Sequence, residues 1–291
     1  RTRCAIHRAG MPLTYKFFVL LVLAALLPLS LAGIFTFREG QREIVSRTID
    51  RLEVVANQGE RQVHEALTRY LEELHRVTGV RELGMSVAEY GKTRDEAVRA
   101  RIMQSVENMR NTLEGITSVS IVDRDGVVLA STRPQEVGEH HGDRSSFIRG
   151  KDGQELSEVF KDEQSALAVR VTGPLTLEGQ VVGVVEITAG AAPLLAVTGD
   201  YTGLGDTGEI TLAGRTEGGD ALYLAPLRFD QSAALSRTIL GKQSESPFLI
   251  ALAGHEESLT GERVVDYRGQ KVFAVTRFIE PARWGLTAKI D

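Results

Sequence analysis

The hydrophobic pattern begins with an uncharged run from Phe17 to Phe37, FFVLLVLAALLPLSLAGIFTF, which is followed by a long polar chain. At about 1.5 Å per helical residue, this run is long enough to cross a hydrocarbon core of roughly 30 Å. Basic residues precede it, namely Lys16, Arg8, Arg3 and Arg1. The positive-inside rule therefore predicts a cytoplasmic N-terminus at 1–16, a transmembrane helix at 17–37, and an external chain from Arg38 onward.

The same run has two other interpretations, a cleaved secretory signal and a buried core helix. Ser30-Leu31-Ala32 resembles a small-residue cleavage site, and the preceding apolar stretch has the length of a signal core. The run continues through Ile34 and Phe35, past that site, which favours a retained helix. A buried core helix is disfavoured by the length and uniformity of the run, and Pro28 is compatible with a membrane helix.

The start of the chain has features of an upstream extension. The sequence opens at Arg1, whereas Met11 lies shortly before the apolar run. We expect Met11 to be the true initiator and residues 1–10 to lie upstream of it. Cys4 would then be absent from the mature protein.

A helical pattern follows the membrane run and predicts a long stalk at 38–114. Its first part has a narrow apolar stripe that recurs at three- and four-residue spacing: Ile44, Ile49, Leu52, Ala56, Val63, Leu67, Tyr70, Leu71 and Leu74. The stripe either packs on the following domain or pairs with a second copy as a coiled coil, or does each at a different height; the coiled coil predicts a homodimer. After a break at Gly79–Gly91, a second helix is predicted at Thr93–Leu113, with a capping box formed by Thr93 and Glu96.

From Ser118 the apolar period changes to that of β-strands, and two similar α+β units are predicted, at 115–200 and 201–291. The first combines strands with two helices: strands 118–122, 127–131, 158–160, 166–172 and 181–188, and helices 145–150 and 192–199. The second has strands 209–213, 221–226, 263–267, 271–278 and 284–290, and a helix at 247–252. Each unit has a Gly-Gln turn before a Val-rich strand, at Gly179 and at Gly269. Because the chain ends on a strand, we expect a second membrane helix and a cytoplasmic module beyond it.

Composition excludes several classes of function. Charged residues make up 25% of the chain, hydrophobic residues 42%, and the formal net charge is −5, an ordinary globular balance. There is no basic stripe with interleaved aromatics, so no nucleic-acid partner is predicted. The single cysteine, Cys4, leaves the external part without disulfides, cysteine nucleophiles or thiolate metal sites. Since no nucleophile elbow, zinc signature or carboxylate pair occurs, we predict no catalytic residues, no metal and no cofactor.

Five segments carry a resemblance to a known family. They read ITSVSIVDRDGVVLAST, GDRSSFIRG, LTLEGQVVGVVEIT, GLGDTGEITLAGR and DYRGQKVFAVTRFIEPARWGLTAKID. In this order and spacing the chain from Arg38 to Asp291 resembles the periplasmic double-Cache sensor domains of bacterial transmembrane receptors. The resemblance implies an α+β fold, with two PAS-like lobes containing antiparallel sheets on a long N-terminal helix. It also implies an inner-membrane location with the sensor part in the periplasm.

The resemblance further implies how such a protein works. The lobe farther from the membrane (the distal lobe) would hold a small-molecule ligand, and the lobe nearer the membrane (the proximal lobe) would pass the signal on. Histidine kinases, diguanylate cyclases and chemoreceptor modules are the attached outputs, of which a histidine kinase is preferred here. A ligand-free scaffold or dimerisation domain remains the alternative function.

The family's ligand-gripping segment maps onto Gly142–Phe147. Arg144 matches the family's arginine and Phe147 a final aromatic, while Ser146 replaces a common Trp or Tyr. An arginine can hold a carboxylate or phosphate through two parallel hydrogen bonds. The competing interpretation is that Arg144 is a solvated loop residue or pairs with Asp143.

Two strands supply the remaining candidate ligand-binding residues. Thr188 occupies the position where the amino-acid-binding branch has an acidic residue, and Glu186 lies on the same strand face. Thr188 cannot hold an ammonium group, and Glu186 can do so only if that face points inward. The sequence therefore favours a carboxylate ligand without an amine. Arg170 is a second cationic candidate, with an exposed strand residue as the competing interpretation.

Two other motifs carry less weight. Glu139-His140-His141 with Asp143 offers metal-binding or pH-sensitive groups, but adjacent residues on an extended chain rarely point at one ion. Gly203–Gly208 superficially suggests a phosphate loop. Because it lacks the Lys-Ser/Thr ending and precedes a strand, we interpret it as a structural turn.

Overall fold

The computed structural model describes residues 13–152, 156–216, 218–241, 246–260, 264–280 and 282–291. They form two compact units, one extending to Asp50 and the other from Arg51 to Asp291. The expectations about Met11, Cys4 and the basic residues 1–8 lie outside the described residues.

Helix α1 runs without interruption over Leu13–Thr78, with Pro28 inside it. Within the described part of the chain, it is the one helix long and apolar enough to cross a membrane. The described apolar side chains between Phe17 and Phe37, among them Leu20, Leu29 and Phe35, are exposed, as a lipid-facing segment requires. This agrees with the predicted anchor.

The second half of α1 buries its apolar stripe in the chain's own core. Leu52, Val63, Leu67 and Leu74 are each about 1% exposed or less and pack with residues of both sheets. At Gly59 an added Cβ would come within 3.3 Å of side-chain atoms of the proximal lobe, so the small residue permits close contact there. Of the two interpretations of the stripe, packing on the following lobes holds for this segment, and a coiled coil through Leu52 and Leu67 is wrong.

Two shorter helices follow. Helix α2 spans Arg81–Thr93 and α3 spans Glu96–Arg110. The predicted break at Gly79–Gly91 is therefore wrong, because most of that segment forms α2. The predicted capping box is also wrong, since Asp95 caps α3 by accepting a hydrogen bond from the Ala97 amide at 2.8 Å.

The distal lobe contains a five-stranded antiparallel sheet. Its strands are β1 (Ile116–Asp123), β2 (Val128–Ser131), β3 (Leu156–Lys161), β4 (Leu167–Leu177) and β5 (Gln180–Gly190), arranged in the order β2-β1-β5-β4-β3. A 3-10 turn at Pro134–Glu136 and helix α4 at Ser145–Lys151 lie between β2 and β3. All five predicted strands of this lobe are confirmed, with shifted ends.

The proximal lobe repeats this arrangement after helix α5 (Ala192–Thr198). Its elements are β6 (Glu209–Arg215), β7 (Ala221–Tyr223), β8 (Thr238–Ile239), α6 (Pro247–Leu252), β9 (Ser258–Leu259), β10 (Phe273–Ile279) and β11 (Trp284–Ile290). The strand order is β8-β7-β6-β11-β10-β9. Without the edge strand β8, this is the strand order of the distal sheet, which confirms two similar lobes in tandem.

Two details of the proximal lobe differ from the expectation. The predicted strand at 263–267 is not formed by its described residues, which contribute only a bridge between Val265 and Lys271. Asp266 instead starts the turn into β10 by accepting hydrogen bonds from the Arg268 and Gln270 amides. The two-residue strands β8 and β9 were not predicted.

A charged cluster lies inside the proximal lobe. The Nζ atom of Lys289 lies 2.9 Å from Oε1 of Glu209 and 2.7 Å from Oδ2 of Asp266. The Tyr267 hydroxyl donates to Glu209 at 2.7 Å. The Lys289 side chain is fully buried, so its ammonium depends on these two carboxylates.

Candidate functional site

One face of the distal sheet packs on the helices and the other forms the candidate site. The helix side is apolar and belongs to the main core: Val119, Ile121, Val169, Val171, Val185 and Ile187. The opposite face has two polar rows set by the strand register. Ser120, Glu186 and Thr172 lie side by side in one row, and Ser118, Thr188 and Arg170 in the next. Glu186 and Thr188 are two residues apart on β5, so they share this face, and both side chains are buried.

Helix α4 covers this polar face. It buries Ser146, Phe147 and Gly150, and Phe147 packs against valines of the sheet. Gly150 permits the close approach, since a Cβ there would lie 2.8 Å from Cγ1 of Val184. The Thr172 hydroxyl is 3.5 Å from the carbonyl oxygen of Ser146. The helix therefore places the predicted residues Ser146 and Phe147 over the sheet.

The loop before α4 is attached to the β1–β2 turn. The His141 amide donates to the Gly126 carbonyl at 2.7 Å, and the Arg144 amide to the His141 carbonyl at 3.0 Å. Gly126 has a φ of 84°, and a Cβ there would lie 2.6 Å from the Gly142 Cα. This tight contact requires glycine and turns the side chains of His141 and Arg144 toward the sheet.

Arg144, His141 and Glu186 form a charged cluster. Nη1 of Arg144 lies 3.3 Å from Oε2 of Glu186 and 2.9 Å from Nδ1 of His141. The same Nδ1 lies 3.0 Å from Oε2 of Glu186. Nδ1 can donate to Glu186 or accept from Arg144, but not both, so the cluster has two alternative hydrogen-bond arrangements. Arg144 is 36% exposed while Glu186 is 4% exposed, which places the guanidinium at the mouth of the site.

Two buried side-chain oxygens at this cluster lack hydrogen-bond partners. Oε1 of Glu186 and Oγ of Ser146 are buried and make no hydrogen bond with any described residue. A buried polar atom without a partner costs free energy that a suitable ligand group would recover. These atoms lie on the two elements that enclose the site, β5 and α4.

Glu136 closes the β2 edge of the same face. Its Oε2 accepts hydrogen bonds from Ser120 at 2.9 Å and Ser131 at 2.8 Å. Burial raises the pKa of Glu136, but these hydroxyls and the Arg133 guanidinium outweigh that effect and hold the pKa below its usual value. Glu136 is therefore ionised at neutral pH and already has hydrogen-bond partners.

Arg170 is part of the face but is already paired. It forms an ion pair with Glu158 on β3 and lies 4.0 Å from the ring centroid of Phe160. Its side chain is only 14% exposed, so the competing interpretation of an exposed strand residue is wrong. Because Glu158 neutralises it, Arg170 is less available to a ligand than Arg144.

The two adjacent histidines point to different partners. His141 is buried, and its Nε2 lies 3.4 Å from Oε2 of Glu139. His140 instead contacts the Asp125 carbonyl through Nε2 at 3.0 Å. Among the described residues, no group of three or more His, Cys, Asp or Glu residues is arranged to hold a metal ion. The sequence motif points to His141 only as a metal-binding or pH-sensitive group, and no local pattern predicts its contact with Arg144 and Glu186.

The six predicted residues thus lie at one place in the fold. Arg144, Ser146 and Phe147 come from the covering segment, and Arg170, Glu186 and Thr188 from the sheet face. Two lobes of identical core strand order, both packed on one long helix, define a double-Cache fold, as the resemblance implied.

Solved structures share this fold. The sensor domain of the Vibrio cholerae histidine kinase DctB matches with a TM-score of 0.57 and 9% identity, over 84% of this chain and 97% of that one. The ligand-binding domain of the Pseudomonas aeruginosa PAO1 amino acid chemoreceptor PctC, in complex with GABA, matches with a TM-score of 0.55 and 18% identity, over 84% and 100%. The ligand-binding domain of the Pseudomonas fluorescens chemoreceptor CtaA, in complex with L-alanine, gives 0.52 and 12%, over 85% and 97%. At these identities the likeness establishes the fold.

A family model matches residues 102–201, which include the whole candidate site. Its description, a provisional one, is sugar diacid recognition. The match covers about a third of the chain. No curated protein matches the sequence.

Proposed function

We propose that this chain is the ligand-sensing part of a bacterial inner-membrane receptor and that it binds its ligand in the distal lobe. The observation that carries the proposal is the accessible guanidinium of Arg144 above the buried, incompletely bonded Glu186 and Ser146. Phe147 and Thr188 complete the site, with Arg170 at its far row. The buried Lys289 of the proximal lobe, by contrast, is enclosed by its own carboxylates. We assign the residues of the distal site a role in ligand binding.

The ligand class that fits best is a hydroxylated carboxylate. Arg144 uses only Nη1 in the cluster and has further donors for a ligand carboxylate. Oε1 of Glu186 would accept a hydroxyl from the ligand, and Ser146 Oγ would donate or accept. The sugar diacid description of the matching family supports the same class. An amino acid is the second candidate, because Glu186 points inward and meets the condition for holding an ammonium group.

Transmission would use α1 and the final strand β11. Ligand binding that pulls Arg144 from Glu186 would shift α4 on the sheet, and the sheet packs directly on α1. Such a shift requires the ligand to bind one conformation better than the other. A histidine kinase is the preferred output, with a diguanylate cyclase or a chemoreceptor module as alternatives. A homodimer would have to use exposed positions of α1, such as Ile44 and Val54, in place of Leu52 and Leu67.

The ligand class is tested by the melting temperature of the full chain in nanodiscs with galactarate, succinate, GABA and L-alanine. A ligand present at about 100 times its Kd stabilises the folded state by about 2.7 kcal/mol, so the true class should raise the melting temperature by several degrees. We expect galactarate to give the largest increase. A screen in which no carboxylate shifts the melting temperature would favour the ligand-free scaffold.

Glu186→Gln separates the two ligand candidates. The amide keeps a hydrogen-bonding oxygen but no charge, so galactarate binding should change by less than about threefold. Binding of an ammonium ligand should instead weaken by about tenfold or more, because its charged partner is lost. Glu114→Gln, which alters an exposed carboxylate just before β1 and outside the cluster, serves as the matched control.

A further inference from the structure

A cavity of about 400 Å³ lies between the distal and proximal lobes, away from the proposed distal site. Arg149 on α4 and Glu158 on β3 line it from the distal lobe. Arg215 at the end of β6 and Arg283 just before β11 line it from the proximal lobe. Its volume lies within the range of natural small-molecule sites.

The cavity has a net positive charge. Its one lining carboxylate, Glu158, is already paired with Arg170. Arg215 donates to the carbonyl oxygens of Gly219 at 3.2 Å and Leu252 at 3.3 Å, which positions the guanidinium without neutralising it. Across the described ranges, none of the three cavity arginines forms an ion pair. Three arginines that line one cavity, whose single carboxylate already has a partner, favour an anionic occupant.

The floor of the same cavity is apolar. Trp284 and Leu224 line it and are almost fully buried. A purely hydrophilic anion would gain nothing from this floor, whereas an anion with an apolar group would bury surface on it. The site therefore combines a cationic rim with an apolar base.

We propose that the inter-lobe cavity binds a small monocarboxylate that carries an apolar ring or chain. The carboxylate pairs with Arg149 and Arg283, one from each lobe, and the apolar group packs on Trp284 and Leu224. The occupant thereby ties the two lobes together. Arg149 lies three residues after Ser146 on the same short helix, so α4 takes part in both this cavity and the distal site.

The test uses benzoate as the probe and the fluorescence of Trp284, which is the only tryptophan in the sequence. In the full chain in nanodiscs, benzoate should change this fluorescence in a saturable way, and the neutral analogue benzamide should bind at least about tenfold more weakly. Arg149→Gln and Arg283→Gln should each weaken benzoate binding by about tenfold. Arg110→Gln, at the exposed end of α3 and outside the cavity, should leave it unchanged.

Three results would overturn this proposal. The first is no saturable response to benzoate or hexanoate up to about 10 mM, a concentration that detects even weak affinity. The second is a response that survives in the Arg149→Gln/Arg283→Gln double variant. The third is a response that only Arg144→Ala removes, because the probe would then lie in the distal site; we expect Arg144→Ala to leave the benzoate response intact. The Arg149 and Arg283 variants test the inter-lobe cavity, and Arg144→Ala tests the distal site, so failure of one proposal is distinguishable from failure of the other.

Discussion

Replacing Lys289 with alanine should lower the free energy of unfolding by about 3–5 kcal/mol, the usual cost of removing one partner from a buried ion pair. The substitution would leave the carboxylates of Glu209 and Asp266 inside the proximal lobe without their ammonium partner. We expect the full chain in nanodiscs to melt at a much lower temperature, measured by the fluorescence of Trp284.

The exposed lysine at position 271 gives the matched control. Lys271→Ala removes the same type of side chain from the surface and should change the free energy of unfolding by less than about 0.5 kcal/mol. A Lys289→Ala variant as stable as Lys271→Ala would show that the buried cluster contributes nothing to stability.

The same cluster sets an acid limit on stability. Burial raises the pKa of Asp266, but hydrogen bonds and charge from Lys289 and Arg268 outweigh it, so the pKa lies below its usual value. A carboxyl whose pKa is lowered by folding stabilises the native state above its unfolded pKa. That contribution is lost as the pH falls through the lowered folded pKa. The cluster is therefore fully effective at neutral pH.

Leu67→Lys should destabilise the fold of the single chain. We do not expect it to act by breaking a dimer interface. Leu67 is fully buried between α1 and the sheets, so the substitution would place an ammonium group without a partner in the core. Loss of the leucine contacts alone costs about 2–5 kcal/mol, and the buried charge adds to it. We expect a lower melting temperature at every protein concentration tested.

Glu65→Lys, an exposed substitution two residues earlier on α1, controls for the added charge. It should leave the melting temperature nearly unchanged. A Leu67→Lys chain that keeps the wild-type melting temperature but becomes monomeric would contradict the structure and restore the coiled-coil interpretation of the stripe.

The elements predictable from sequence are those fixed by local chemistry. The β1–β2 hairpin follows from its turn, where Asp123 accepts hydrogen bonds from the Asp125 and Val127 amides and Gly126 adopts a positive φ. Helix α2 was missed because its glycines were interpreted as a break. Gly84 has a tertiary role instead, since a Cβ there would lie 3.3 Å from the carbonyl oxygen of Thr176 on β4. Close packing of this kind cannot be inferred from local propensity.

The candidate site likewise has one part that the sequence pattern predicts and another part that only the folded structure decides. The alternation of a strand predicts that Glu186 and Thr188 share a face, but only the folded sheet decides that this face is the inner one. The pairing of Arg170 with Glu158 depends on the β3–β4 register. The contact between His141 and Glu186 depends on the course of the loop between β2 and α4, which carries His141 and has no periodic signal.

The most direct test of the account is the effect of Arg144→Ala on ligand stabilisation. For the ligand that raises the melting temperature most, the increase should disappear in Arg144→Ala and persist in Arg110→Gln, each measured against the same variant without ligand. This result would place the ligand in the distal lobe at the guanidinium of Arg144. An undiminished increase in Arg144→Ala would contradict the proposed site and the sensing mechanism built on it.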